Sequence, residues 1–330
     1  MATTILSPHV QRETEYWAEV MTFLGLYAES DANAVFDIIA ATPGRKLQVV
    51  NRMAKLYGFD GINSADWREW MDKRVVNYLT SVSFEVKCRP YEYTEALDDE
   101  AEMFGNVLVQ PLQRTQPILD GFFRWRTKLC LDAIFDPAAT SIDDQMMFDA
   151  EHAHLDQKRG TYSNIVAGPG RVEAAKPSTE EVSNEFEAGI DRLDMNRVFG
   201  DDAEIVPGTA TANRRYVVIT RDLATRSAYR RLLTRSHLDD NGTRVENPYR
   251  NGFTLIHKSG GAAPQPYAIV RADQNGPRPV MWAPWKDPDG LKFKKKEELQ
   301  DTPDVDLVYG MSAWGGPRSA FAETVVRLDP

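Results

Sequence analysis

Apolar residues recur at three- and four-residue steps through most of the first eighty positions, the spacing of one helix face. Residues 12–27 place Tyr16, Val20, Phe23, Leu24 and Tyr27 on such a face. A second helix is predicted over 31–41 from Val35, Phe36, Ile38 and Ile39, with Pro43 and Gly44 as the break. A third is predicted over 45–57 from Val49, Val50, Met53, Leu56 and Tyr57, closed by Gly58. Ser64 caps a fourth, which carries Trp67, Met71, Val75 and Tyr78 on one side.

The period then drops to two. Val82, Phe84, Val86 and Cys88 alternate with Ser83, Glu85 and Lys87, and Tyr91 and Tyr93 continue past Pro90. This predicts a partly exposed two-stranded hairpin or long loop. Helical spacing returns over 98–135, with Phe104, Leu108 and Leu112 in one stripe and Ile118, Phe122, Trp125, Leu129 and Ile134 in another. Pro111 and Pro117 fall between the stripes and argue against one unbroken helix. Residues 136–178 read as loop. Ser178 with Glu181 is a capping-box pair opening a helix through Val182, Phe186, Ile190 and Leu193.

Residues 214–220 form a continuous apolar run expected of a buried strand, and 222–235 a helix with Ala224, Ala228 and Leu232 in line. Strands are predicted at 252–258, 266–272 and 277–284, and a charged, solvated loop or hairpin at 286–304. Two short strands around a Gly315–Gly316–Pro317 turn close the chain. Helices dominate early and mix with strands later, which is the α+β class.

Composition narrows this further. The chain has 330 residues, enough for one large domain or two ordinary ones, and 42% hydrophobic with 27% charged residues marks a globular protein. No apolar run is long enough for a membrane helix, and the start lacks a secretion-signal pattern. A net charge of −10 gives no basic footprint for tight nucleic-acid binding. Cys88 and Cys130 make no disulfide framework; they read as small buried hydrophobes in a reducing compartment.

Candidate chemistry is sparse. Gly168–Pro169–Gly170 lacks the following Lys-Ser/Thr of a phosphate loop and reads as a turn. No Gly-x-Ser-x-Gly elbow or Cys–His pattern occurs. Glu151, His152 and His154 have metal-ligand chemistry, but no distant third ligand stands out, and a polar loop with locally hydrogen-bonded histidines is favoured. Asp287–Pro288–Asp289–Gly290 departs from a calcium loop at its later positions. The lysines from Lys292 to Lys296 suit a solvated tip, and Trp282, Trp285 and Trp314 suit cores or interfaces. No catalytic, cofactor-binding or metal residue is therefore assigned, and the chain is not expected to be an enzyme.

Several segments, in order, resemble the Mu-like prophage major head subunit family, phage coat proteins with the Hong Kong 97 phage capsid fold. The first is Asp143–Asp144–Gln145–Met146–Met147–Phe148–Asp149–Ala150–Glu151–His152, followed by Tyr162–Ser163–Asn164. Next come Arg215–Tyr216–Val217–Val218–Ile219, Leu232–Leu233, Asn247–Pro248 and Gly252. Then come Pro277–Arg278–Pro279–Val280–Met281–Trp282, Val308–Tyr309–Gly310 and Ala320–Phe321–Ala322. A weaker likeness lies in Trp67–Arg68–Glu69–Trp70 and Lys73–Arg74. The chain departs from the family at its helical first sixty residues, and at Pro111 and Pro117, where a long spine helix is expected.

The resemblance implies a helical N-terminal arm over 1–63, and a lead-in helix and extended β loop over 64–97. A peripheral domain with a long, proline-kinked spine helix would occupy 98–164, and an axial α/β domain with C-terminal strands 165–330. It implies a major capsid protein that assembles with itself into hexamers and pentamers around double-stranded DNA. The acidic chain would contact that DNA only weakly. Scaffolding, portal and decoration proteins would be further partners, with no cofactor and no membrane. The place of action would be the virion, after assembly in the host bacterial cytoplasm. An encapsulin-like compartment shell shares these expectations, and a metal-dependent enzyme built on Glu151, His152 and His154 is the alternative of a different kind.

Overall fold

The computed structural model describes residues 31–42, 49–50, 53–59, 81–97, 111–154, 160–168, 171–173, 175–196, 216–240, 243–272, 277–284, 291–295 and 307–330. Helix α1 (Asp31–Ile39) leads into β1 (Ala40–Ala41), β2 (Val49–Val50), β3 (Met53–Phe59), β4 (Ser81–Lys87) and β5 (Arg89–Leu97). Helix α2 (Pro111–Phe135) follows, then short strands β6 (His152–Ala153), β7 (Thr161–Tyr162) and β8 (Ile165–Ala167). Next are α3 (Thr179–Met195), β9 (Tyr216–Thr220), α4 (Leu223–Thr234), β10 (His237–Asp240), β11 (Thr243–Glu246), β12 (Phe253–His257) and β13 (Tyr267–Arg271). The chain closes with β14 (Val280–Pro284), β15 (Leu291–Lys295), β16 (Leu307–Ser319), a 3-10 turn (Ala322–Thr324) and β17 (Val325–Asp329). The helices predicted over 12–27 and 64–79, and the start of the 98–135 helix, lie outside the described residues.

The chain folds into two compact units. One is Met1–Asp37 with Cys88–Leu129 and Pro284–Gly316; the other is Ile38–Lys87 with Cys130–Ala283 and Pro317–Pro330.

In the first unit β16 pairs antiparallel with β5, from Leu307 opposite Leu97 to Gly315 opposite Arg89, and with β15 on its other side. The turn expected at Gly315–Gly316–Pro317 is corrected by this ladder. β16 runs on as one strand to Ser319, because β5 supplies partners where a hairpin would have doubled back. The interior gathers Phe36, Phe122 and Phe123 about the guanidinium of Arg126, whose carbon lies 3.8 Å from the Phe36 ring centre. Stacking on aromatic faces makes burial of that charge tolerable. Tyr91 packs edge-on against Trp125 at 4.3 Å between centroids.

The second unit is built on a mixed five-stranded sheet in the order β12-β9-β13-β17-β8. β9 is buried at every position, which is why its sequence is apolar without alternation. Val182, Phe186, Ile190 and Leu193 of α3, with Ala228, Tyr229 and Leu232 of α4, pack onto Tyr216, Val218, Phe253, Tyr267, Ile269, Val326 and Leu328. Gly189 lets α3 come close: a Cβ there would stand 2.5 Å from Ile269 Cδ1. Ser178 caps α3 in the predicted capping box, and Asp222 caps α4 through the amide of Thr225. β1 pairs in parallel with β14.

Three further expectations are corrected. The helix predicted over 45–57 is instead β2 and β3. β3 pairs antiparallel with β4 from Met53–Lys87 to Phe59–Ser81, and Gly58 lies within the strand, opposite Val82. Seven residue pairs of ladder with β4 override the segment's weak helical preference. That change puts strands into 1–63, which was expected as a helical arm. Second, β4 and β5 are not a hairpin, since β4 pairs with β3 and β5 with β16. Third, α2 is unbroken. Pro111 opens it, where a missing N–H costs nothing. Pro117 lies in its second turn and removes one backbone bond without ending the helix.

Candidate assembly elements

β3 and β4 form a twisted ribbon with β2 on its far side, and the outer edge of β4 meets no strand among the described residues. Such an edge offers unpaired backbone groups to another chain. Along β4, Phe84 and Val86 are buried while Glu85 and Lys87 are exposed. The root of the ribbon is tied down by Arg318. Its Nη1 donates to the Glu85 carbonyl at 2.7 Å and its Nη2 to Asp144 Oδ1 at 2.8 Å, with the guanidinium above the Phe84 ring. Asp144 has φ of 62°, a left-handed conformation that Asp tolerates better than most residues.

The loop after α2 has little ladder of its own, so side chains must satisfy its backbone. Asn164, fully buried, does most of this. Its Oδ1 accepts from Asp149 N at 2.8 Å, and its Nδ2 donates to the carbonyls of Met147 at 2.6 Å and Ala322 at 3.3 Å. Its carbonyl accepts from Arg327 N at 2.9 Å, joining the loop to β17. Beside it, Asp143 accepts from Ser141 Oγ, from Gln145 Nε2 at 2.8 Å and from His152 Nε2 at 2.8 Å. Burial pushes the Asp143 carboxyl up, but the hydrogen bonds from His152 and Ser141 outweigh it and hold the group below its ordinary value. Gln145 in turn bonds both backbone groups of Ala153. Tyr162 lies against both histidines, at 4.9 Å from His152 and 4.6 Å from His154.

This arrangement decides the histidine cluster. His152 is buried and turned to Asp143, while Glu151 is exposed, so the Glu151, His152 and His154 side chains do not converge on one point. Among the described residues no group of three or more His, Cys, Asp or Glu could hold a metal ion.

A second network lies under α3. Arg171 and Glu185 form a two-pronged ion pair at 2.7 Å on each prong, with side chains 1% and 0% exposed. Arg171 also donates to Thr225 Oγ1 at 3.1 Å, and Tyr267 donates its hydroxyl to Glu185 at 2.5 Å. Tyr229 and Tyr267 share a hydroxyl hydrogen bond of 2.9 Å. Burial, reinforced by neighbouring anionic oxygens, pushes the Tyr267 phenol well above its usual range. Burial alone would lower the Arg171 value, but the bonds to Glu185 raise it, so the guanidinium stays charged. Every polar group here is matched, as a buried ion pair requires.

The third feature is a cleft of about 650 Å³ between the start of α3, the end of α4 and the β10–β11 hairpin. Glu180, Asn184 and Glu187 line its α3 wall, Arg231 and Arg235 its α4 wall, and Val245 and Tyr249 line it from the hairpin and the loop that follows. Tyr249 donates its hydroxyl to Glu187, and Asn247 closes α4 by donating to the Leu232 and Arg235 carbonyls.

Other sequence candidates scatter. The backbone of β15, carrying Lys292, Lys294 and Lys295, pairs with β16 as a hairpin strand; Trp282 is core and Trp314 half-buried. Cys88 and Cys130 are buried thiols. Gly168 donates its amide to the Asp329 carbonyl. Trp285, Lys296, Pro169, Gly170 and the 287–290 segment lie outside the described residues. Sequence reasoning missed Asp143, Arg171, Glu185 and Arg318. Arg171, Glu185 and Arg318 are single charged residues whose partners lie fourteen or more positions away, and Asp143 bonds Ser141, Gln145 and His152 within a loop that has no periodic pattern to announce it.

The geometry matches solved phage capsids. The capsid of cyanophage P-SCSP1u is similar over 89% of this chain and 86% of that chain, at a TM-score of 0.53 and 9% identity. The mature capsid of bacteriophage PhiM1 gives the same coverage, score and identity. The capsid of cyanophage Pam1 is similar over 88% of both chains, at 0.50 and 11%. No protein-family model matches the chain, and no curated protein does. At these identities the likeness is one of fold: the chain has the α+β Hong Kong 97 phage capsid fold. No helix among the described residues is long and apolar enough to cross a membrane.

Proposed function

We propose that this chain is the major capsid protein of a tailed bacteriophage or prophage, a structural subunit that assembles with itself into hexamers and pentamers of an icosahedral shell around double-stranded DNA. The carrying observation is a shared fold across nearly the whole chain: 89% of it matches the P-SCSP1u capsid. The open edge of the β3–β4 ribbon supports the reading, since an edge of this kind gains stability by lying on a neighbouring copy. So does the use of the His152 and Arg171 clusters as structural ties. Within the class, the Asp143–His152, Tyr162–Asn164 and 277–282 segments favour the Mu-like head subunits.

In this reading 1–63 is the N-terminal arm, although β3 within it pairs with β4 to make the extended ribbon of 64–97. The spine helix is α2, in the peripheral part over 98–164. The α3–α4 layer and its sheet form the axial domain of 165–330. The chain acts in the virion, after assembly in the host cytoplasm with scaffolding, portal and decoration proteins.

The test is negative-stain electron microscopy and size-exclusion chromatography of the purified chain, alone and co-expressed with its neighbouring gene products, with nuclease digestion of any particles. Closed shells that protect DNA are the expected result. Shells that protect enzymes and no DNA would point to an encapsulin-like compartment. A monomer or dimer under every condition would overturn the proposal.

A further inference from the structure

We propose that the outer face of α4 on one copy seats in the cleft between α3 and the β10–β11 hairpin of a second copy. This head-to-tail contact rests on the shell reading above and supplies one of its surfaces.

The charge pattern of the two helices carries the argument. The fully exposed positions of α3 are Glu180, Asn184, Glu187, Asp191 and Met195, a single stripe opposite its buried face. That stripe holds three carboxylates and no cation. The stripe opposite the buried face of α4 is Leu223, Arg226, Ser227, Arg230 and Thr234, and α4 holds no carboxylate at all. Among the described residues, Glu180, Asp191, Arg226 and Arg230 form no ion pair within the chain. Opposite charges are thus displayed on separate surfaces of one molecule.

Shape and apolar content agree with the charge. The cleft carries Glu180, Glu187 and Glu246 against Arg231 and Arg235, so it is net acidic, and Arg231 is already turned to the Pro177 carbonyl. Val245, 44% exposed, lines it, and Leu223, 69% exposed, begins the α4 stripe. A Leu tip followed by two arginines therefore matches an acidic cleft lined in part by an apolar side chain. Knob and cleft are different patches, so the contact is heterologous and builds rings or open chains, not two-fold dimers. A patch of this size is below that of a stable two-body interface. Repeated around a ring it adds through multivalency, and it weakens as salt rises.

The experiment is a charge swap in the full chain, read by size-exclusion chromatography and negative-stain microscopy, with thermal melting as the folding control. R226E/R230E and E180K/E187K each put like charges in contact. R226E/R230E is expected to melt as the wild type does and E180K/E187K somewhat lower, because Glu187 gives up the Tyr249 hydroxyl bond; each is expected to need at least about tenfold more protein to assemble. An equimolar mixture of the two restores opposite charges at every contact of an alternating six-membered ring, and is expected to recover hexameric rings, while a five-membered ring cannot alternate. Either variant assembling alone as the wild type does would overturn the inference and leave the shell reading standing. So would a folded mixture that fails to recover. A wild-type chain that never assembles would remove the shell reading itself.

Discussion

The two buried polar networks of the second unit are built on opposite principles. Under α3, Arg171 and Glu185 are both charged and both shut away from water, and the hydroxyls of Thr225 and Tyr267 complete their bonding. In the loop after α2, most of the bonding is done by the neutral amides of Asn164 and Gln145 with backbone groups, with the Asp143 carboxylate accepting from His152 beside them. The first joins a loop, a helix and a strand far apart in sequence. The second holds in shape a loop that has little ladder of its own. A buried ion pair is costly to break and adds little over an apolar substitute, whereas an amide on loop backbone has no apolar substitute, because the backbone groups remain. The difference lies in how each network fails.

The largest expected effect is Glu185→Ala, which leaves the Arg171 guanidinium buried without its partner. Urea unfolding should show a loss of about 3–5 kcal/mol. The double change Arg171→Met with Glu185→Leu should recover most of it; a double variant as unstable as the single would mean the charges themselves are needed. Asn164→Ala comes next, at about 2–3 kcal/mol, and no apolar partner change should rescue it. If Asn164→Leu proves as stable as wild type, the contrast between the networks collapses. Ser178→Ala should cost about 1 kcal/mol. The capping box also holds the Val172 amide through Glu181, so a larger loss would show that it helps seat Arg171.

Smallest is the response to acid. Asp143 has a folded value below its ordinary 3.8, so its contribution is fully present above that pH and is lost as pH falls through the lower folded value. Urea midpoints for Asp143→Asn should therefore fall less between pH 4 and pH 2 than those of the wild type, about in step with the loss of this one bond. An unchanged acid slope would place that loss elsewhere.

Parts of this were legible in the chain and parts were not. Ser178 and Glu181 announced the start of α3 because both partners of a capping box lie within one turn. The Val182, Phe186, Ile190 and Leu193 spacing likewise announced which face is buried. The favoured reading of the Glu151–His154 stretch as a polar loop with locally hydrogen-bonded histidines holds for His152, which bonds Asp143 nine residues before it, but the sequence did not say which group that partner would be. Arg171 and Glu185 gave no signal at all, since a lone Arg in a loop and a Glu on an otherwise acidic helix both read as solvated.

The amino-acid sequence alone determined α3 with its capping box, α4, and the fully buried strand β9, because periodicity and capping are short-range properties of consecutive residues. Only the tertiary structure decided that Met53–Phe59 is a strand, that β16 runs through Gly315 and Gly316 without turning, and that β4 and β5 part to different partners. A strand is completed by backbone hydrogen bonds to a segment elsewhere in the chain, and nothing local states which segment that is.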